Sequence, residues 1–547
     1  MDYHIYQEIP TSQYIQIKLS LECTDRERIT LQLPAWRPGR YELANYAQKI
    51  RRVVISTAEK TIPLKKITKD KWEFHSEKAG TYTVSYEYYC NQLDAGGCWS
   101  DTEMLYLNFS NLAFSVSNRE KEEISLQLHL PDAYQVATSL QKLSKHRFKA
   151  DNHQQLIDSP LIASPDLQHF TYHVGKTTFH LWFQGEIHFN ITALIDTFRS
   201  FTVRQIAAFT DFPAKDYHFL FHLLPYTHYH GVEHQFSTVI TYGPAESLAN
   251  EEKLAELISV SSHELYHFWN VCRIRPSALL PYDLSREAYL REGVVAEGVT
   301  TYLGDMYLLR AGYYTMQQYL DILAQKINRE TMSHGWQYQS IVDSSFDLWL
   351  DGYKAGIPDR KVSIYNRGAL ISLCLDLLLM DRNSSLEDVM RCMWMRYGRD
   401  QKGYLLEDFQ RVVTECAKDP ETMEDFFRRF VFGTEDLLPR IEQTLKSVNI
   451  YLRKDDNQDP MEEAYGIQLD DSQKIIRLHP DSPAYRSLIL GDTIESVENK
   501  ATSVKLGIKR VHRKKQVSIP TTNREYFIKY KLISEGAEND KRAKWIQ

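Results

Sequence analysis

The residues whose types and spacing best suit chemistry lie at positions 262–270, which read Ser-His-Glu-Leu-Tyr-His-Phe-Trp-Asn. On a helix, residues four positions apart share one face, so His263 and His267 can both point at one metal ion. Glu264 follows the first histidine and can take a proton from a water beside that metal. This combination is typical of zinc hydrolases. The alternative is a helix with two surface histidines and a glutamate, because three fixed residues can match by accident.

A zinc ion in such an enzyme takes a third ligand from the protein, and the next helical segment supplies two candidates. Glu292 and Glu297 both lie in the sequence Arg-Glu-Gly-Val-Val-Ala-Glu-Gly. Each is followed by a glycine, so the local sequence leaves both glutamates open as the third ligand.

Charge and length exclude some classes of protein. The chain has 65 basic and 72 acidic residues, and its net charge of −7 is mild for 547 residues and indicates no nucleic-acid partner. The basic run at positions 509–515 is interpreted as a solvated strand or turn. At roughly 100–200 residues per domain, the length predicts about two to four domains.

Nothing in the sequence indicates secretion or a membrane. The N-terminus lacks the basic and apolar regions of a signal peptide, and no window approaches the roughly 20 apolar residues of a membrane span. The seven cysteines are scattered without a Cys-x-x-Cys pair, which is typical of reduced thiols. A disulfide is an alternative only for Cys90 and Cys98. We therefore expect a cytoplasmic protein.

The periodicity of apolar residues divides the chain. Alternation at period two predicts an antiparallel β-sandwich over residues 1–165, with strands at 14–19, 29–33 and 81–88. Strands continue at 177–183 and 217–224. Helical periodicity then follows at 251–273, 286–311, 316–329, 364–380 and 405–417, and Pro420 opens a further helix. This order predicts a mostly helical, thermolysin-like catalytic domain over residues 166–440.

Strands return after about residue 448. A Gly-Asp-x-Ile segment at 491–494, which follows a Ser-Pro-Ala turn at 482–484, resembles a PDZ domain over residues 448–535. The alternative is another kind of small β-domain. The whole chain is thus predicted to be a multidomain α+β protein.

Several motifs, in the same order, resemble the glycyl aminopeptidases, which are thermolysin-like zinc peptidases with an N-terminal β-domain and a C-terminal PDZ domain. The matching segments lie at residues 33–41, 263–276, 281–283 and 297–312. The resemblance selects Glu297 over Glu292 as the third zinc ligand. The chain has Val294, Val295 and Ala296 where the family usually has aromatic residues, and Val299 where it tends to have phenylalanine. These differences bear on substrate preference.

An aminopeptidase must also hold the free α-amine of its substrate, which a carboxylate can do through charge-assisted hydrogen bonds. The segment 231–237 is similar to the family's Gly-x-Glu-His strand, and this resemblance assigns Gly231 and Glu233 to substrate binding. The alternative is a solvent-facing glutamate. The nearby His228, His230 and His234 are interpreted as a polar loop rather than a second metal site.

A hydroxyl that stabilises the oxyanion of the transition state completes such a site. The Tyr-Asn-x-Gly-Ala segment at 365–369 resembles the family's corresponding region and makes Tyr365 the candidate, with Tyr353 as a second choice. Arg273 and Arg275 either make structural ion pairs or contact the carboxylate of a very short peptide.

The sequence therefore predicts an aminopeptidase with one zinc ion, and the resemblance implies a preference for glycine or alanine at the substrate's N-terminus. The expected partners are peptides with a free N-terminus, and a peptide or protein C-terminus is a candidate for the PDZ-like domain. Two alternatives are a zinc endopeptidase and a PDZ-carrying, chaperone-like binding protein with a vestigial peptidase domain. No oligomeric state is indicated.

Overall fold

A computed structural model describes residues 1–354, 356–456, 459–536 and 538–547. The chain divides into two compact units, one formed by residues 1–314 and 340–433 and the other by residues 315–339 and 434–547. The first unit begins with a β-rich region and continues with helices, and the second contains small sheets and helices. The prediction of a multidomain α+β protein is therefore confirmed.

The N-terminal region forms strands because its apolar residues alternate with polar ones. In the second strand, for example, Ile15, Ile17 and Leu19 are fully buried. The strands are β1 (Asp2–Ile9), β2 (Tyr14–Cys23), β3 (Arg28–Gln32), β4 (Ile50–Ser56), β5 (Thr61–Ile62), β6 (Lys65–Thr68), β7 (Lys71–His75), β8 (Gly80–Tyr89), β9 (Trp99–Ser100), β10 (Leu105–Leu107), β11 (Ser115–Val116), β12 (Ile124–His129), β13 (Gln135–Thr138), β14 (Gln141–Ser144), β15 (Arg147–Ala150) and β16 (Leu161–Ser164). A short helix, α1 (His153–Ile157), precedes the last strand.

These strands form one sheet of eight, in the order β14-β15-β12-β1-β2-β8-β4-β5, and two sheets of four, β13-β16-β10-β9 and β11-β3-β7-β6. The expected antiparallel pairing has one exception, since β1 and β12 run parallel with His4 opposite Gln127. A parallel pair needs a long connection, and more than a hundred residues separate these two strands. Period-two alternation carries no information about strand direction, so the sequence could not indicate this pair.

A five-stranded sheet follows, with β17 (Gln168–Val174), β18 (Thr177–Gln184), β19 (Asp216–Leu223), β20 (His228–Glu233) and β21 (Ser237–Gly243) in the order β17-β18-β19-β21-β20. The N-terminal region packs on this sheet, where Tyr106 and Ile162 share a buried cluster with Leu220, Val232 and Val239. In this strand order, β20 is at the edge of the sheet, and β21 is its only neighbour among the described residues.

Helix α2 (Ile191–Phe209) connects β18 to β19, which run parallel, and the sequence analysis did not predict it. Its buried residues Leu194, Phe198, Phe201 and Gln205 recur every three or four positions. This helical spacing was the signal available in the sequence. The helix supplies the crossover that two adjacent parallel strands require.

The remaining helices are α3 (Glu251–Tyr266), α4 (Thr300–Arg310), α5 (Met316–Thr331), α6 (Ile341–Phe346), α7 (Leu348–Asp351), α8 (Asn366–Met380), α9 (Leu386–Met393), α10 (Leu406–Ala417), α11 (Pro420–Phe426) and α12 (Leu438–Lys446). Two of them are shorter than predicted. Helix α3 ends at Tyr266, directly before the second histidine, and Val271 in the turn that follows adopts a positive φ of 89°. The expected helix at 286–311 begins only with a π-helical turn, Val294–Val299, that leads into α4.

The second unit contains β22 (Ile450–Lys454), β23 (Ile467–Leu469), β24 (Ile475–Leu478), β25 (Thr493–Lys500), β26 (Ser503–Arg510), β27 (Arg513–Pro520) and β28 (Tyr530–Ser534), with helices α13 (Pro460–Tyr465) and α14 (Asp540–Ile546). Its sheets are β22-β28, β23-β24 and β25-β26-β27. Helix α5 belongs to this unit, because the Asn328 side chain accepts from Tyr530 N at 2.7 Å and donates to Tyr530 O at 2.9 Å.

Two absences follow from the described residues. None of their helices combines the length and the apolar composition that crossing a membrane requires. All seven cysteines are free thiols, so the alternative of a disulfide between Cys90 and Cys98 is not realised.

The aspartate of the Gly-Asp-x-Ile segment has a structural role in the second unit. Asp492 is fully buried and accepts two hydrogen bonds from the guanidinium group of Arg510, at 2.9 and 2.7 Å. Burial opposes its ionisation, but Arg510 and the backbone N–H of Ile489 outweigh burial and lower the pKa of Asp492. The ion pair therefore ties the start of β25 to the end of β26.

We expect the substitution Asp492→Asn to lower the free energy of unfolding of the second unit by about 2–3 kcal/mol, because it removes the counter-charge of Arg510. Hydrogen–deuterium exchange of strands β25–β27 would report the loss. The matched control is Asp481→Asn, which removes a solvent-exposed pair with Arg524 and should cost less than about 1 kcal/mol. Equal exchange in both variants would contradict this account.

Candidate functional site

Two histidines and a glutamate converge at one point of the first unit. His263 and His267 lie one turn apart at the end of α3, and their Nε2 atoms are 3.1 Å apart. Glu297, from the π-helical turn, places its Oε2 3.5 Å from each of these nitrogens. Ligands about 2.0–2.1 Å from a tetrahedral zinc ion lie about 3.3 Å from one another. The three atoms therefore have the spacing of ligands to one metal ion, and they form a group that could hold one.

The two candidates for the third ligand occupy different environments. Glu292 accepts hydrogen bonds from the backbone N–H groups of Leu406, at 3.2 Å, and Arg291, at 2.8 Å. It thus holds the start of α10 rather than facing the histidines. The side chain of Glu297 is the one that lies beside His263 and His267.

Asn270 connects the two segments that carry the candidate ligands. Its carbonyl oxygen lies 2.9 Å from His267 Nδ1, which can only donate to it, so Nε2 is the ring nitrogen that faces the centre. Its side-chain nitrogen donates to Val295 O at 2.8 Å and to Thr300 Oγ1 at 2.9 Å. Asn270 lies within the motif at 262–270, but its role was not predicted, and its position three residues after His267 was the available signal.

The Glu297 segment and helix α8 touch through their backbones. A Cβ atom on Gly298 would lie 2.6 Å from the backbone of Gly368, so no larger residue fits there without displacement. This contact sets the distance between the π-helical turn and the start of α8. It explains how Glu297 and Tyr365, 68 positions apart in the sequence, face the same space.

Glu264 is buried beside the histidines and lies against strand β20. A Cβ atom on Gly231 would be 2.3 Å from Glu264 Oε1, so the absence of a side chain at 231 makes room for this carboxylate. Its Oε2 has no hydrogen-bond partner among the described residues. Burial holds the pKa of Glu264 well above its usual range, opposed by His267 and reinforced by the carboxylates of Glu233 and Glu297. A carboxyl group with a raised pKa takes up a proton more readily than a solvent-exposed glutamate does.

Glu233 completes a ring of three carboxylates around His267. Oxygen atoms of Glu233 and Glu264 and a ring nitrogen of His267 all lie within 4.8 Å of one another. Burial raises the pKa of Glu233, and the nearby Glu297 raises it further. The second predicted substrate residue, Gly231, is two positions earlier on the same face of β20.

The charge balance of this cluster favours a cation. Burial opposes protonation of His267, but Glu297, Glu233 and Glu264 outweigh it and raise its pKa to about 10. Burial likewise opposes ionisation of Glu297, but the two histidines outweigh it and lower the pKa of that carboxyl. Three carboxylates in so little space thus require positive charge among them, which a divalent metal would supply.

The two tyrosine candidates differ in what their hydroxyl groups do. The Tyr353 hydroxyl group donates a hydrogen bond to Gly39 O at 3.1 Å. The ring of Tyr365 lies 6.5 Å from that of His263, and 37% of the residue is exposed. Burial of its hydroxyl and the charge of Glu297 hold the pKa of Tyr365 well above its usual range, so it stays a proton donor. Tyr365 is therefore the better placed to donate to a ligand beside the histidines.

The other polar residues predicted near the site turn away from it. His234 Nδ1 lies 3.0 Å from Asp158 Oδ1, and His230 Nε2 lies 3.4 Å from Arg37 Nη2. Among the described residues, the histidines at 228, 230 and 234 form no group with converging ligand atoms.

The two arginines after the second histidine hold the backbone. Arg273 donates to Phe268 O at 2.6 Å, and Arg275 donates to Cys272 O at 2.8 Å. Both side chains therefore fasten the turn that ends α3 through hydrogen bonds to carbonyl groups, where the sequence analysis expected ion pairs or substrate contacts.

Solved structures with the same fold are found. The chain superposes on an aminopeptidase N family protein from Idiomarina loihiensis with a TM-score of 0.89 at 24% identity, over all of both chains. It is also similar to an M1 zinc metallopeptidase from Deinococcus radiodurans, with a TM-score of 0.51 at 13% identity, over 80% of this chain and 94% of that one. A variant of that enzyme bound to a Tyr-Ser-Ala substrate gives 0.51 at 15% identity over the same shares.

Sequence comparison identifies two domains of one peptidase family. Residues 2–165 match the Peptidase M61 N-terminal domain, and residues 256–371, which include both histidines and Glu297, match the M61 glycyl aminopeptidase domain. A comparison with curated proteins found no match. Because the two matched segments together span about half of the chain in the expected order, the protein belongs to the M61 glycyl aminopeptidase family.

Proposed function

We propose that the protein is a zinc-dependent aminopeptidase that removes residues from the N-terminus of peptides. The observation that carries this proposal is the convergence of His263, His267 and Glu297, with Glu264 and Glu233 around the same histidine. Two imidazoles and one carboxylate suit zinc. Glu233 adds a further carboxylate beside this centre, which can bind the positively charged terminal amine of a peptide. An exopeptidase needs such a group, and an endopeptidase does not.

His263, His267 and Glu297 would hold one zinc ion, which when bound acts as a Lewis acid toward water and the scissile carbonyl group. Glu264 takes the proton from the attacking water and passes it to the leaving amine. Its raised pKa serves both halves of this transfer, because the carboxyl group must accept and then release the proton. The Tyr365 hydroxyl donates a hydrogen bond to the developing oxyanion.

Glu233 binds the α-ammonium group of the substrate and so restricts cleavage to the first peptide bond. Gly231 lies on the same edge strand, where an extended peptide can approach the backbone and still reach Glu264. Peptides with a free N-terminus are therefore the proposed substrates. A preference for glycine as the first residue is supported by the description of the family, and a preference for alanine is a prediction from the sequence resemblance.

The same proposal extends to the domains. We infer a β-sandwich at 1–165, a thermolysin-like catalytic domain at 166–440 and a PDZ-like domain at 448–535. Capture of a peptide or C-terminus by the last of these, and a location in the cytoplasm, are predictions from the sequence alone.

Zinc binding should depend on Glu297 and not on Glu292. We expect Glu297→Gln to weaken zinc binding by more than about 100-fold, because even the loss of a hydrogen bond to a ligand costs about 10- to 100-fold. Glu292→Gln is the matched control and should keep its zinc, measured by competition with a chromophoric chelator. Loss of zinc from the control alone would reverse the assignment of the two glutamates.

Glu264→Gln should abolish catalysis without loss of metal. We expect its kcat on glycyl and alanyl chromogenic substrates to fall by about 100- to 10,000-fold, since the amide cannot accept the proton. Bound zinc must first be shown to equal that of the wild type. A zinc-loaded wild type that is silent on these substrates and on longer free peptides would instead favour a peptide-binding protein with a vestigial peptidase domain.

Recognition of the free amine should depend on Glu233. The wild type should cleave a tripeptide with a free N-terminus and leave its N-acetylated form intact. In Glu233→Gln, we expect KM for the free peptide to rise by about 10- to 100-fold, because a charge-assisted hydrogen bond becomes a neutral one. Equal cleavage of the free and acetylated peptides would identify an endopeptidase.

A further inference from the structure

The proposed amine anchor is in contact with a residue from the N-terminal region. Gly39 adopts a φ of +74°, which L residues with side chains rarely adopt. A Cβ atom there would lie 2.8 Å from Glu233 Oε2 and 3.3 Å from Oε1. The carboxylate of Glu233 thus rests on the backbone of Gly39, and both the backbone conformation and the close approach require a glycine.

The loop that carries Gly39 is fastened to the catalytic part of the first unit. Ala35 N donates to Leu284 O at 2.7 Å. Trp36 Nε1 lies 3.1 Å from the carbonyl oxygen of Asp283 and 2.7 Å from that of Arg286. Because these groups all bond to backbone atoms more than 240 positions away, the loop is held as a fixed wall.

Tyr353 fastens the same loop at Gly39 itself. Its hydroxyl donates to Gly39 O at 3.1 Å, and its ring lies under the guanidinium group of Arg40, 5.2 Å away. The Gly39 peptide unit is therefore also held at its carbonyl oxygen.

A second residue of the N-terminal region holds the chain that follows Glu233. Asp158, just after α1, bonds through Oδ1 to His234 Nδ1 and through Oδ2 to the backbone N–H of Gln235, both at 3.0 Å. Its carboxylate is mostly buried. Since His234 and Gln235 directly follow Glu233, Asp158 restrains the backbone while Gly39 restrains the side chain.

We propose that the N-terminal region completes the amine-binding subsite, with Gly39 as the positioning residue that holds the Glu233 carboxylate toward the substrate's α-ammonium group. This inference rests on the proposed function, because it assigns the amine to Glu233. A carboxylate that cannot swing away keeps its hydrogen-bond geometry, so less freedom is lost when the amine binds. Gly39 itself contacts no reacting atom.

The test compares two ligands that differ only in the α-amine, glycine hydroxamate and acetohydroxamate, by calorimetry on the zinc-loaded full-length protein. The wild type should bind the amine-bearing ligand more tightly. In Gly39→Ala, we expect this preference to fall by about tenfold or more, since the added methyl group displaces the carboxylate. Binding of acetohydroxamate should not change.

The matched control is Gly312→Ala. Gly312 has nearly the same φ, +77°, but no atom lies within 4 Å of the position a Cβ would take. Both substitutions therefore add a Cβ atom at nearly the same positive φ, and only the one at Gly39 touches Glu233. The control should retain the wild-type preference.

An unchanged preference in Gly39→Ala would overturn the inference, as would a wild type without any preference for the amine. If Gly39→Ala does not fold, Asp158→Asn replaces it. The same loss of preference is expected, because an amide has one accepting oxygen, whereas the two carboxylate oxygens of Asp158 bond separately to His234 Nδ1 and to the backbone N–H of Gln235. The proposed function is judged separately. A wild type that prefers the amine but hydrolyses no peptide refutes the aminopeptidase and leaves the subsite standing.

Discussion

The structure of the site depends on the need to compensate three carboxylates that are buried together. Glu233, Glu264 and Glu297 surround His267, and burial opposes the ionisation of each of them. Their combined charge raises the pKa of the histidine to about 10 although burial opposes that too. Such a balance favours a divalent cation, which would supply the positive charge that the cluster otherwise draws from a proton on His267.

The three carboxylates have different neighbours, and these neighbours suit them to different roles. Glu297 faces both histidines, which lower its pKa and keep it an anionic ligand. For Glu264, burial outweighs the opposing charge of His267, and its pKa is raised. When two carboxyl groups of one site have pKa values shifted in opposite directions, they are suited to different roles, here metal ligand and general base. The chemistry proposed for each residue follows from this difference rather than from its residue type.

Close approach of backbones is the second requirement. Gly231 leaves space for the Glu264 carboxylate, and the contact between Gly298 and Gly368 brings Glu297 and Tyr365 to the same side. The N-terminal region adds a wall at Gly39, held by hydrogen bonds from Ala35, Trp36 and Tyr353. The site is thus assembled from five separate parts of the chain, namely the Gly39 loop, β20, α3, the π-helical turn and the start of α8, and its precision depends on their packing.

The sequence alone determined what depends on local geometry or on a recognisable motif. Residues 263 and 267 share a helix face because they are four positions apart, and the period-two segments at 14–19 and 81–88 are strands in the structure. The family was also recognised from motifs that keep their order. Helix α2 was not predicted, although its apolar residues recur at helical spacing, because this part of the chain was interpreted as a continuation of strands.

The tertiary structure decided the rest. Only packing shows that Glu292 serves α10 whereas Glu297 faces the histidines, since both glutamates precede a glycine in the same segment. Packing likewise directs His234 to Asp158, joins α5 to the second unit and sets Gly39 against Glu233. These contacts join residues from a few tens to about two hundred positions apart. Periodicity describes a residue's own neighbours, so it cannot say which distant side chain will lie opposite.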